Sequence, residues 1–250
     1  MKKLLLVLLT IGLIVCLFVG CNVVTPPGGE GEGEGEEEVT RVVMVELFTQ
    51  PGCALCEIAE PLIEQLADEY ERSEVVFLEE RAYGLYSLDE IRDRYEWYFP
   101  SSADRSTPNI LFNGLNQRIH GSSSYAAIKG KINLELGKDA KISITATRNS
   151  NSTTTIISGT IKNISDSSLD NLVINGMTYK DKGQMGLKYC VLDIFTEQEE
   201  SITILAPGET YNFSFTYEGL NWEGNKIHGV VFVQAPESSK KEVLQALYIE

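Results

Sequence analysis

The chain has 250 residues, with 21 Lys and Arg against 36 Asp and Glu, two His and five Cys, for a formal charge of −15. A pI near 4.6 leaves no basic surface of the kind a nucleic-acid binder shows, and so few His argue against a His-rich zinc or iron site. About 43% apolar and 23% charged residues describe an ordinary globular chain, and the length predicts one or two domains.

The first twenty residues read as a targeting segment. Lys2 and Lys3 form a short positive region, Leu4 to Val19 are almost wholly apolar, and Gly20 offers a small residue for cleavage. The run Phe18-Val19-Gly20-Cys21 resembles a bacterial lipobox, which implies lipid on Cys21 after removal of residues 1–20. The alternative is an uncleaved N-terminal anchor helix. Both readings place the rest of the chain outside the cytoplasm, at the cell envelope, and give it the membrane as a partner through its anchor. Residues 21–39 then carry Pro26-Pro27-Gly28-Gly29 and six Glu between Glu30 and Glu38, which predicts a self-repelling acidic linker.

Residues 40–138 read as one domain. Arg41 to Phe48 is a β-branched apolar run with one acid, Glu46, and predicts a buried strand. Thr49-Gln50-Pro51-Gly52 breaks it. A helix is expected from Cys53 to about Arg72, with Ile58, Leu62, Ile63, Leu66 and Ala67 on its apolar face. Cys53 and Cys56 form a C-x-x-C pair. At a helix N-terminus the dipole and free N–H groups favour a thiolate on Cys53, and Cys56, one turn along, can close a disulfide with it. A strand at Val75 to Glu79, a helix from Leu88 to Tyr98, a strand at Asn109 to Phe112, the turn Asn113-Gly114 and a strand at Gln117 to Gly121 follow. Ser122 or Ser123 is expected to cap a last helix ending at Leu136, with Gly137 as its stop.

After Gly137 the pattern changes to alternation, so residues 139–250 read as a separate β-sandwich. Lys141 to Thr147, Thr153 to Lys162, Leu172 to Ile174, Tyr189 to Phe195, Ser201 to Leu205, Tyr211 to Tyr217, Ile227 to Val233 and Leu244 to Ile249 are the candidate strands. Short strands at this spacing resemble immunoglobulin or fibronectin sandwiches. Trp222 and His228 read as packing or turn residues, and Cys190 as a buried free thiol.

The run Phe48 to Cys56, Pro61 five residues after the second Cys, and Thr107-Pro108 ahead of a strand and hairpin together resemble the thioredoxin family. The resemblance implies an α/β thioredoxin-like domain in which Thr107 and Pro108 form a loop lining a substrate groove against the cysteines. The two regions together resemble outer-membrane-associated lipoproteins that join such a module to a C-terminal β-sandwich. Gly52, Ala54 and Leu55 depart from the family's usual residues, which leaves oxidant and reductant undecided. The family's buried acid falls at Leu47, so Glu46 is either a displaced proton relay or a solvated or ion-paired strand acid.

Two functions follow. One is an extracytoplasmic thiol-disulfide oxidoreductase acting through Cys53 and Cys56 on protein thiols or disulfides, or on a redox partner protein. The other is a surface lipoprotein acting as a binding or structural module, in which Cys53–Cys56 is a structural or vestigial disulfide. Neither needs a cofactor or a metal.

Overall fold

The computed structural model describes residues 39–85, 87–180, 188–219 and 222–249; the expected targeting segment, Cys21 and the acidic linker up to Glu38 lie outside the described residues. The first elements are β1 (Val43–Thr49), α1 (Cys56–Ala67), β2 (Val75–Arg81), α2 (Asp89–Tyr98), β3 (Asn109–Phe112), β4 (Gln117–His120) and α3 (Tyr125–Leu136). There follow β5 (Ile142–Ser150), β6 (Thr154–Asn163), β7 (Leu169–Lys180), β8 (Cys190–Ile194), β9 (Glu200–Leu205), β10 (Thr210–Glu218), the short α4 (Trp222–Asn225), β11 (Ile227–Ala235) and β12 (Glu242–Ile249).

β1 is buried at every position because both of its faces are covered. Val43, Val45 and Leu47 pack with Ala59, Ile63 and Leu66 of α1 and Ile128 and Ile132 of α3. Met44 and Phe48 point the other way, into a cluster with Ile91, Tyr95 and Tyr98 of α2. This is the strand period of two at work, and it explains an unbroken apolar run. Each fully buried side chain of this size contributes roughly 1.5–3 kcal/mol of transfer free energy.

The α2-side cluster also holds Met177 and Tyr179 of β7, Val191 and Ile194 of β8, Val230 and Phe232 of β11, and Val243 and Ala246 of β12. One core therefore draws on residues from both sides of Lys138. The hydrogen bonding agrees. A nine-stranded sheet runs β12-β11-β7-β8-β2-β1-β3-β4, with β9 also paired to β7. β8 joins β2 in parallel at Glu79 and Cys190, and Glu79 N donates to Tyr189 O at 2.9 Å. The β12 end of the sheet folds back against β1 and the β3–β4 connection. Leu115 N donates to Lys240 O at 2.7 Å and Val42 N to the Gln245 side-chain oxygen at 2.7 Å. A Cβ on Gly114 would stand 2.2 Å from Lys241 O, so only glycine allows this approach. Arg41, 2% exposed, closes the seam with Nη2 at 2.8 Å from Glu242 and 3.5 Å from Glu135.

The expected fold is corrected by this architecture. The chain is mostly β, with four α-helices among the described residues, rather than an α/β thioredoxin-like domain followed by a self-contained immunoglobulin- or fibronectin-like sandwich. The strands assigned to the α/β domain are part of a sheet whose other strands come from residues 169–249. Among the described residues the expected sandwich has one sheet of its own, β10-β6-β5. Ile142, Ile157, Ile161, Phe213 and Phe215 of that sheet pack on Leu172, Ile174, Val231, Val233 and Leu244, which belong to the shared one. The physical reason is plain. A strand buried on both faces reads the same whichever strands flank it, so its sequence names no neighbour. Residues Val39 to Glu250 form one compact unit.

Smaller corrections follow the same logic. α1 starts at Cys56, not Cys53, and buries Cys56, Ala59, Ile63 and Leu66 while Ile58 is exposed. α3 is capped by Ser124, whose hydroxyl accepts from Ala127 N at 3.3 Å, not by Ser122 or Ser123. The strand expected at Leu172 to Ile174 is the twelve-residue β7.

Candidate functional site

The loop between β1 and α1 turns at Pro51-Gly52, and Gly52 adopts φ +71 with open space around it. That turn presents Cys53, half-buried, one turn ahead of the helix. Cys53 O accepts from Cys56 N at 2.9 Å and from Glu57 N at 3.1 Å, so the peptide groups that open α1 fold around it. Cys53 and Cys56 are joined by a disulfide, with Cα atoms 5.2 Å apart. Cys56 is 1% exposed, so the outer sulfur is that of Cys53. Its Sγ lies 3.1 Å from Cys56 N and 3.5 Å from Thr107 O. In the disulfide this second approach is a contact; only a reduced thiol has a proton to donate there.

Thr107 and Pro108, expected beside the cysteines, are brought there. The Thr107–Pro108 peptide bond is cis, and Pro108 O accepts from Gly121 N at 2.9 Å. The flanking Ser106 hydroxyl lies 2.6 Å from His120 Nε2, which ties this loop to the end of β4. The Thr107 hydroxyl is buried with no hydrogen-bond partner among the described residues.

Charge near the disulfide is acidic. Glu57 is exposed, and Glu60 sits one turn after Cys56 with Arg81 4.0 Å away. Burial raises the Glu60 carboxyl above its ordinary value, against the pull of Arg81 and the Thr49 hydroxyl. Glu79 behind it is 1% exposed and is held well above the usual carboxylate range by burial and then by Glu60 and Glu64. Cys190 is a buried free thiol pushed up to about 11 by burial and by Glu79. A thiol so placed is inert.

Glu46 is fully buried on the α2 side of β1, whereas Leu47 faces α1. Its carboxylate accepts from Arg94 Nε at 2.6 Å and from the Tyr98 hydroxyl at 2.9 Å. Of the two readings of this acid, the ion-paired strand acid describes those contacts.

Sequence reasoning missed the surface around the disulfide. Leu55 is 40% exposed, Ile58 53% and Leu85 63%. Leu55 and Ile58 sit three residues apart at the start of α1. Gly84, with φ +85, lies against Pro51, where a Cβ on it would stand 3.0 Å from Pro51 Cδ, and the exposed Leu85 follows it in the chain. The phase of α1 counted from Cys56 would have put Ile58 outside. Leu85 carried no signal. The partners Arg94, Tyr98, Gln234 and Glu80 of the buried network around Glu46 were also missed, since they come from three separate elements. Among the described residues no group of three or more His, Cys, Asp or Glu is placed to hold a metal ion, and no helix is long and apolar enough to cross a membrane.

No protein-family model matches the chain, and no curated protein matches it. Among solved structures it is similar to HBP35 of Porphyromonas gingivalis, with a TM-score of 0.63 and 16% identity over 85% of this chain and 76% of that one. It is also similar to protein AGR_C_4864 from Agrobacterium tumefaciens, with a TM-score of 0.55 and 17% identity over 85% of this chain and 95% of that one. A domain of the outer membrane lipoprotein Omp28 from Porphyromonas gingivalis overlaps 44% of the chain at 15% identity and a TM-score of 0.32. The resemblance to the thioredoxin family and to lipoproteins pairing it with a sandwich is thereby corrected: the motif residues are present, but the fold is a mostly β one shared with the first two structures. At this identity the likeness is one of fold.

Proposed function

We propose that this chain is a cell-envelope binding protein that docks a partner polypeptide over the apolar end of the fold, with Cys53–Cys56 as a structural clasp. The observation that carries the reading is the exposed pair Leu55 and Ile58 at the start of α1, beside the disulfide. Large apolar side chains gathered at one place on a soluble surface mark an interaction site. The clasp fixes the turn that displays Leu55 and Ile58. The lipobox-like sequence at Cys21 supports the envelope location, and a Cys21→Ser variant is expected to leave the membrane fraction.

The test is a photo-crosslinking residue at position 55 of the full chain in cells. A discrete protein adduct is expected, and it persists when Cys53 and Cys56 are both changed to Ser. The control position is Ile204, 58% exposed on β9. An adduct no stronger at 55 than at 204 overturns the reading.

A second reading is favoured by the half-buried Cys53 sulfur lying 3.5 Å from Thr107 O while Cys56 is enclosed. In that reading the reduced Cys53 thiolate attacks a partner protein's disulfide, and the partner's second sulfur leaves as a thiolate. Cys56, deprotonated, then attacks the Cys53 sulfur, releases the partner's other thiol and closes the pair. Thr107 and Pro108 line the groove that holds the partner. Cys56→Ser then accumulates mixed disulfides and Cys53→Ser does not; under the clasp reading neither accumulates them.

A further inference from the structure

Between α2 and the β7–β8–β11 part of the sheet lies a cavity of about 350 Å³. That volume is within the range of small-molecule sites. It shares no lining residue with the disulfide end. Val173, Ile194, Pro236 and the Trp97 indole supply its apolar surface.

Its inner wall is polar but already satisfied. Arg94 donates to Glu46 at 2.6 Å, to the Gln234 side-chain oxygen at 3.2 Å and to the Tyr98 hydroxyl at 2.8 Å. Gln234 donates in turn to Tyr98 and to Lys241 O, at 2.9 and 2.7 Å. Behind them the Glu80 carboxyl is held well above its ordinary range by burial and by its neighbour Glu46. The one guanidinium that reaches the cavity is thus neutralised inside the protein.

The remaining charged groups lining the cavity are Glu90 and Asp93 on α2 and Glu199 ahead of β9. Among the described residues none of the three is in an ion pair. Glu199 accepts only a long hydrogen bond from Asn175, 3.4 Å. Asp193 nearby is raised by burial and next by Glu90, so negative charge is in excess here. Lys241 covers the Trp97 ring at 4.3 Å but does not line the cavity.

We propose that this cavity binds a small organic cation with an apolar body. The ammonium group lies at the mouth among Glu90, Asp93 and Glu199. The body packs on Trp97, Val173 and Ile194. An apolar pocket with unpaired carboxylates on its rim selects charge sign as well as shape. An anion of the same shape is repelled, and Arg94 is not free to receive it.

The test is calorimetric titration of the full chain with phenethylammonium, and with phenylpropionate as the anionic counterpart of similar size. Saturable binding of the first and none of the second is expected. Glu90→Gln, Asp93→Asn and Glu199→Gln, on the accessible rim, are each expected to weaken binding about three- to tenfold, and added salt to weaken it further. Trp97 emission should shift on binding and lose that response in Trp97→Phe. Binding of both probes alike, of neither, or of the cation with unchanged affinity in all three rim variants overturns the proposal.

Discussion

β1 and β2 are buried at all seven of their positions, whereas along β5, β6 and β10 exposed positions recur between buried or half-buried ones. The first pair has helices and a second set of strands over its two faces; the other three form a sheet with one wet side. The difference teaches where the chain carries its organisation. The strands that look self-sufficient in sequence depend most on distant residues, because Met44 and Phe48 share their core with Phe232 and Val243. The strands that look like an independent sandwich supply only one layer.

The comparison breaks first at its aromatic centre. Phe48→Ala in the first region and Phe232→Ala in the second are each expected to cost about 3–5 kcal/mol, because both are fully buried in the same cluster. Urea unfolding followed by far-UV circular dichroism measures it. A cost confined to one of the two would separate the regions. Arg94→Met should be of similar size, since it strands the Glu46 carboxylate without its guanidinium inside the core.

Next comes the clasp. Closing four residues limits the unfolded chain little, so replacing Cys53 and Cys56 together by Ser is expected to cost about 2 kcal/mol. A loss much larger than that would give the disulfide a part in the core that its position on the rim does not.

Stability should also fall with rising pH on account of the first region. Burial holds the Glu79 and Glu80 carboxyls well above their usual range. The folded protein therefore keeps protons that the unfolded chain has released above its ordinary carboxyl value of about 4.3. That contribution is full below this value and is lost as pH rises through the folded values. Glu80→Gln is expected to flatten the decline of the urea midpoint as pH rises above the ordinary carboxyl value of about 4.3; an unchanged slope contradicts the assignment. The smallest effect belongs to the wet side of the second region, where Ile156→Ala, 41% exposed, should change stability by less than about 0.5 kcal/mol.

Much of the local structure was legible from residues alone. Arg41 to Phe48 announced a strand, Asn113-Gly114 a turn, Gly137 a helix stop, and the C-x-x-C pair its own disulfide. The nearness of Thr107 and Pro108 to the cysteines was legible through a family pattern whose fold did not carry over. What the sequence hid was pairing. Glu79 faces Cys190 across more than a hundred residues, and Arg41 meets Glu242 across two hundred and one. No periodicity encodes which strand lies beyond β2. The exposure of Leu55, Ile58 and Leu85 was hidden for a related reason: an apolar residue reads as core until its neighbours are known.

The chain has two Trp, and they fall on opposite sides of Lys138: Trp97 on α2 and Trp222 on α4. Single-tryptophan proteins made by Trp222→Phe and Trp97→Phe report each region separately during urea unfolding. A single core across the chain predicts that, within each protein, the fluorescence midpoint coincides with the far-UV circular dichroism midpoint. A fluorescence transition displaced from the circular dichroism transition, in opposite directions for the two proteins, would show two regions that unfold independently and would contradict the shared core.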